Sequence, residues 1–127
     1  MLVLDAGGIS LLAGRSQQAV ALIAAFRRNG LWPAVVPSVV LVESLTGHPG
    51  RDALTNRLLK ICELQGEVPV PLARRAASLR SRAGRGSAVD AIIVAFAEPH
   101  GTVLTSDPAD LSALAAYADD VTIERAS

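Results

Sequence analysis

A chain of 127 residues fits one domain, 1–127, long enough to bury a sizeable core without disulfides or a structural metal. Its 12 basic and 12 acidic residues cancel, which excludes a global field recruiting nucleic acid or membrane, and its one cysteine excludes an internal disulfide. Half of the residues are hydrophobic and the mean hydropathy is +0.37, high enough to leave apolar surface for a partner, so a homodimer or a tight complex is expected.

The chain opens on LVLD at 2–5, a short apolar strand pattern that ends in Asp5 and the glycine pair Gly7-Gly8. A helical pattern follows at 16–29 (SQQAVALIAAFRRN), then a second strand pattern, AVV at 34–36. Helices are expected at 38–46, with Ser38 as its N-cap, and at 50–64, where Cys62 in LLKICEL reads as a small buried hydrophobe. VPV at 68–70 is taken as the third strand, followed by helices at 72–83 and 87–98. TVLT at 102–105, a helix at 107–117 and VTI at 121–123 complete the series. Strands alternating with helices predict an α/β fold around a largely parallel five-stranded sheet. The longest apolar run, LWPAVVPSVVLV, is too short to span a membrane and holds two prolines; with no charged leader at the N-terminus, a reducing, cytoplasmic setting is expected.

In such sheets ligands bind beyond the carboxyl ends of the strands, where Asp5 and Asp107 both fall. Each has a bland explanation as a helix cap, and Asp90 has one too, since Ser87-Ala-Val-Asp90 has the form of a capping box. Glu43 resists that explanation: it sits in VVLVESL, where a carboxylate among apolar neighbours is costly unless something pairs with it. Asp90 opens AVDAIIVAFA, a helix apolar nearly all round, and is expected to point inward. Two carboxylates about 5 Å apart at an effective dielectric near 20 repel by roughly 3 kcal/mol, so four acids brought together need a cation. An all-oxygen set suits Mg²⁺ or Mn²⁺; His48, His100 and Cys62 show no spacing for zinc. No nucleophile elbow, phosphate-binding P-loop or dinucleotide fingerprint is present. Arg74, Arg75, Arg80, Arg82 and Arg85 form a basic stretch leading to Asp90, either a solvated face or a phosphate-contacting one. With Phe26, Trp32, Phe96 and Tyr117 as the whole aromatic supply, base stacking has little support.

LVLDAGG, VLVESL, SAVDAIIVAFA and TVLTSDPADL, in this order, resemble the motifs of the PIN-domain ribonucleases, most closely the VapC-type toxins of bacterial toxin–antitoxin modules. The resemblance covers the whole chain. It implies a PIN-like sheet flanked by helices on both faces, with Asp5, Glu43, Asp90 and Asp107 lining one acidic pocket. That pocket would bind Mg²⁺ or Mn²⁺ and hydrolyse RNA phosphodiesters, under restraint by a cognate antitoxin protein. Asp5, Asp90 and Asp107 would be the metal ligands, with Glu43 binding metal or orienting water. Thr105 and Asp110 would support the fourth acid, and Arg82 and Arg85 would contact RNA phosphates. Many relatives place a hydroxyl or amide residue where this chain has Gly7, a contact that water or Ser10 would have to supply.

Two other readings compete. A catalytically weak PIN-like module that binds RNA or protein is kept open by Gly7. A phosphotransfer domain of receiver or haloacid-dehalogenase type fits worse, because Ala6-Gly7 follows Asp5 without a second aspartate and the one lysine, Lys60, lies in a helical run.

Overall fold

The computed structural model describes residues 1–126. In chain order the elements are β1 (Leu2–Leu4), α1 (Ala6–Ala13), α2 (Gln17–Arg28), β2 (Val35–Pro37), a 3-10 turn (Ser38–Val40), α3 (Leu41–Ser44), α4 (Ala53–Leu59) and β3 (Glu63–Gln65). Then come α5 (Val70–Ala83), α6 (Ala88–Ala97), β4 (Thr102–Thr105), α7 (Pro108–Ala115) and β5 (Thr122–Arg125). The strands join in the order β3-β2-β1-β4-β5, every pair parallel. The expected α/β architecture is therefore present, with the sheet wholly parallel.

The centre of the sheet is its driest part. Leu2, Val3 and Leu4 point alternately to the two faces, yet all three are fully buried, so helices cover both sides of β1. α1 and α6 each pack on β1 and β4; α1 also meets α2, α3 and α4, while α5 packs on α6 and α7. Val36, Ile93, Val94, Val103, Leu104, Leu111 and Leu114 close the core around these contacts. No single helix among the described residues is long and apolar enough to cross a membrane.

Three expectations fail, each for a local reason. VPV at 68–70 is not a strand: Pro69 precedes α5 and Pro71 sits in its first turn, where a missing N–H costs nothing. The third strand is instead Glu63–Gln65, cut from the end of the helix expected at 50–64, which contracts to Ala53–Leu59. The segment 38–46 is a 3-10 turn followed by a single helical turn, and Ser38 makes no capping hydrogen bond. α1 is implied in the sequence only through the capping explanation for Asp5, without bounds of its own. Its two glycines, which weaken a helix in isolation, are there for packing, as the site shows below.

One ion pair ties the far end of the helical layer together. Arg75 of α5 donates from Nε and Nη2 to the two oxygens of Glu98, at 2.8 and 2.7 Å, and Nη2 also reaches the Tyr117 carbonyl. Glu98 further accepts the Asp119 N–H at 2.7 Å. The Glu98 side chain is only 12% exposed against 38% for Arg75, so solvent screens the pair from one side. Glu98→Ala should cost about 1–2 kcal/mol, seen as a lower urea midpoint at unchanged slope. The Arg75 guanidinium, ahead of the Asp119 N–H, holds the Glu98 carboxyl below its ordinary range. Its contribution is present above the unfolded-state value and is lost as pH falls through the folded one, so variant and wild type should converge in acid.

Candidate active site

The sheet reverses its direction of growth between β1 and β4, the place where a parallel α/β sheet opens a crevice at its carboxyl edge. Leu4 pairs with Leu104, so the next residues, Asp5 and Thr105, arrive side by side. The fully buried Thr105 hydroxyl donates to Asp5 Oδ2 at 2.5 Å, and Asp5 Oδ1 accepts the Gly8 N–H at 2.7 Å. Asp5 is therefore the N-cap of α1, as its sequence position predicts, with a second bond that capping does not require. Thr105 also accepts the Asp107 N–H at 3.1 Å, which fixes the turn leaving β4.

This closeness depends on the glycine pair. A Cβ on Gly8 would strike the Leu104 carbonyl oxygen, and one on Gly7 would fall on the Ser106 side chain. The pair lets α1 lie against the end of β4.

Asp90 is half-buried at the start of α6, where the capping box with Ser87 is formed: the Asp90 N–H donates to Ser87 Oγ at 3.0 Å, and the Ser87 N–H donates to Asp90 Oδ2 at 3.2 Å. Asp107 occupies the N-cap position of α7, but its exposed carboxylate makes no capping bond and has no partner among the described residues. The capping explanation is thus right for Asp5 and Asp90 and wrong for the Asp107 side chain.

Glu43 corrects an expectation. α3 is one turn long, and both Glu43 and its neighbour Val42, 84% exposed, face solvent, so no buried charge needs compensation there. Glu43 lines a cleft of about 320 Å³ together with Ala6, Ser10, Ser44, Arg51 and Thr55. Asp5 is next in sequence to Ala6 of that cleft. The structure therefore groups Asp5, Asp90, Asp107 and Thr105 at the sheet edge, and sets Glu43 and Ser10 along the adjoining cleft.

Arg51 was not anticipated. It lines the cleft because the buried Asp52 side chain folds the loop after α3: Asp52 accepts the Thr46 N–H and hydroxyl, both at 2.9 Å, and the Gly47 N–H at 2.9 Å. Those bonds, the Thr46 N–H first, hold the Asp52 carboxyl below its ordinary range. An Asp five residues past a Gly-containing turn was the available signal, and it is a weak one.

The arginine stretch is largely structural. Arg75 serves Glu98, Arg80 donates to the Gly86 carbonyl at 3.1 Å, and Arg85 pairs with Asp110 at 2.7 Å. Asp110, expected behind the fourth acid, faces Arg85 in an exposed ion pair, a contact of small energetic weight. Arg82 is exposed and has no hydrogen-bonding partner among the described residues. Cys62 is half-buried, and burial pushes its thiol up to about 11, which leaves it unreactive at neutral pH.

Electrostatics single out Asp5. Burial raises its pKa first of all; Thr105 and Gly8 oppose that by bonding the carboxylate, and the Asp90 charge adds to the rise. Of the two causes that raise it, burial is the larger and the Asp90 charge the smaller. Among the described residues no three acidic, histidine or cysteine side chains are already drawn into one metal-binding cage. For a carboxyl whose folded-state pKa is raised, stability is greatest below the unfolded-state value and falls as pH rises through the folded one. Asp5→Asn, which keeps an oxygen for the Gly8 N–H, should therefore raise the Tm at neutral pH and change it less in mild acid. Thermal melts across pH check this; a Tm lowered equally at every pH would refute it.

No protein-family model matches the chain, and no curated protein does. Solved structures do match. The structure of FitAB bound to an IR36 DNA fragment has a chain 21% identical to this one, with 98% of this chain and 94% of that one covered and a TM-score of 0.64. FitAcB from Neisseria gonorrhoeae is 20% identical, with 97% and 96% covered and a TM-score of 0.63. At such identities the likeness speaks for the fold, and the α/β fold of this chain, a five-stranded parallel sheet flanked by helices, is PIN-like.

Proposed function

We propose that the chain is a Mg²⁺- or Mn²⁺-dependent endoribonuclease, the VapC-type toxin of a toxin–antitoxin pair, working in the cytoplasm. The observation that carries this reading is the β1–β4 register, which brings Asp5 beside Thr105 at the carboxyl edge of the sheet, with the Asp90 charge near enough to add to the rise in the Asp5 pKa and the Asp107 carboxylate leaving the same turn with no partner among the described residues. Carboxylate oxygens with no basic partner among the described residues are the chemistry that a hard divalent cation satisfies. The PIN-like fold that the chain shares with FitAB and FitAcB supports the same reading at the level of the fold.

In this reading Asp5, Asp90 and Asp107 hold the ion. Once bound, it would polarise the scissile phosphoryl group and make the attacking water more acidic. The chain's own residues supply the rest. Thr105 fixes Asp5 in one orientation, so the site needs little reorganisation. Glu43, exposed on the cleft wall, orients the water or takes its proton. Arg82 is free to meet an RNA phosphate, while Arg85 would have to share itself with Asp110.

For the antitoxin, the seat is an apolar groove of about 280 Å³ lined by Leu12, Val20, Ile23, Leu58 and Ile61, which shares Ala13 and Leu54 with the cleft that holds Glu43 and Arg51. A segment lying there would reach the site directly. A homodimer is part of the same proposal, supported by the remaining exposed apolar side chains such as Val42 and Leu64.

A second reading, a PIN-like module that binds RNA or protein without cutting, is favoured by the lack of a preformed three-ligand cage among the described residues. Purified chain incubated with RNA discriminates the two. Cleavage should require Mg²⁺ or Mn²⁺, stop with EDTA, and fall at least ~100-fold in Asp90→Asn. Wild-type cleavage by Asp90→Asn would refute the site, and calorimetry showing no Mn²⁺ uptake at millimolar concentration would favour the binding module.

A further inference from the structure

We infer that Ser106 is a positioning residue of this site, its hydroxyl standing in the space that the bare Gly7 leaves open. The inference rests on the nuclease reading above. Ser106 lies between Thr105, whose hydroxyl holds Asp5, and Asp107, whose carboxylate has no partner among the described residues. Its side chain leans over the first turn of α1: a Cβ on Gly7 would fall on the Ser106 hydroxyl and lie 2.9 Å from the Ser106 backbone nitrogen. The hydroxyl occupies the space that a side chain at position 7 would take.

The chemistry of the site gives that hydroxyl a use. Ionised carboxylates only accept hydrogen bonds, so Asp5, Asp90 and Asp107 cannot by themselves orient a water through its oxygen. The Thr105 hydroxyl proton is committed to Asp5. Ser10, the residue that the sequence offers in place of a hydroxyl at position 7, lies in the cleft with Glu43. Ser106 is exposed, and its hydroxyl has no hydrogen-bond partner among the described residues, so its proton is available over the first turn of α1, which Asp5 caps, and next in sequence to Asp107. It donates to a water or phosphate oxygen held between those acids.

Ser106→Ala removes the hydroxyl and leaves the backbone alone. Calorimetric Mn²⁺ affinity should weaken about tenfold, and kcat should fall by about the same factor with KM nearly unchanged. The Tm should stay at the wild-type value, and Ser106→Thr should restore both affinity and kcat. In parallel, Gly7→Ala should lower the Tm, and Ser106→Gly added to it should recover part of the loss, since the backbone nitrogen remains in the way. If wild type binds no Mn²⁺ and cuts no RNA, the nuclease reading falls and this inference falls with it. If wild type does both and Ser106→Ala matches it in both, this inference alone is overturned. A Gly7→Ala Tm equal to wild type would also overturn it, because the space would then not be occupied.

Discussion

The hydrogen bond from the Thr105 hydroxyl to Asp5 is the point on which the rest of the molecule converges. It exists because β1 and β4, one hundred residues apart in sequence, pair in a register that sets Leu4 against Leu104. That register depends on the dry core of the sheet, since slipping by one residue would turn Val3 and Val103 to the wrong faces. Asp5 is held from both sides, by Thr105 and by the Gly8 N–H, in a half-buried place that burial makes costly for its charge. The scaffold keeps there a carboxylate that a flexible side chain would turn to water.

Elsewhere the same scaffold removes electrostatic tension. Glu98 is met by a guanidinium and a backbone N–H, and Asp52 by two N–H groups and a hydroxyl, so both acids are held below their ordinary range. Asp5 is the acid that moves the other way. The contrast is informative because all three arise in one chain of zero net charge: the donors that meet Glu98 and Asp52 outweigh burial, while at Asp5 burial outweighs the Thr105 and Gly8 bonds. A carboxyl perturbed by burial at a sheet edge is a candidate for function rather than for cohesion. Most of the arginines sit on the balanced side of that division. Arg75, Arg80 and Arg85 are spent on the scaffold, which reduces the apparent basic face to Arg74 and Arg82.

Much of this was legible from the residues alone. The inner strands β1, β2 and β4 are continuous apolar runs, the signature of strands buried on both faces, and the acids that follow β1 and β4 mark the edge that matters. The outer strand β3 was not legible because Glu63-Leu64-Gln65 lies exposed at the sheet edge, where burial imposes no pattern. VPV imitated a strand because composition does not distinguish a proline that starts a helix from one that borders a sheet. Glu43 was misjudged through helix length: its apolar neighbours imply burial only if the helix continues, and it stops after one turn. Arg51 and Ser106 were missed for a common reason. Both are delivered by turns whose course is set by side-chain bonds from other residues, Asp52 in one case and Thr105 in the other.

The close approach of Gly7 and Ser106 also ties two distant positions into one. They lie far apart in sequence yet share one small volume, so a change at either is felt at the other. Because the Ser106 backbone nitrogen stands in that volume together with the hydroxyl, a side chain at position 7 is excluded by the course of the turn itself, and the chain leaving β4 decides how close the first turn of α1 can lie.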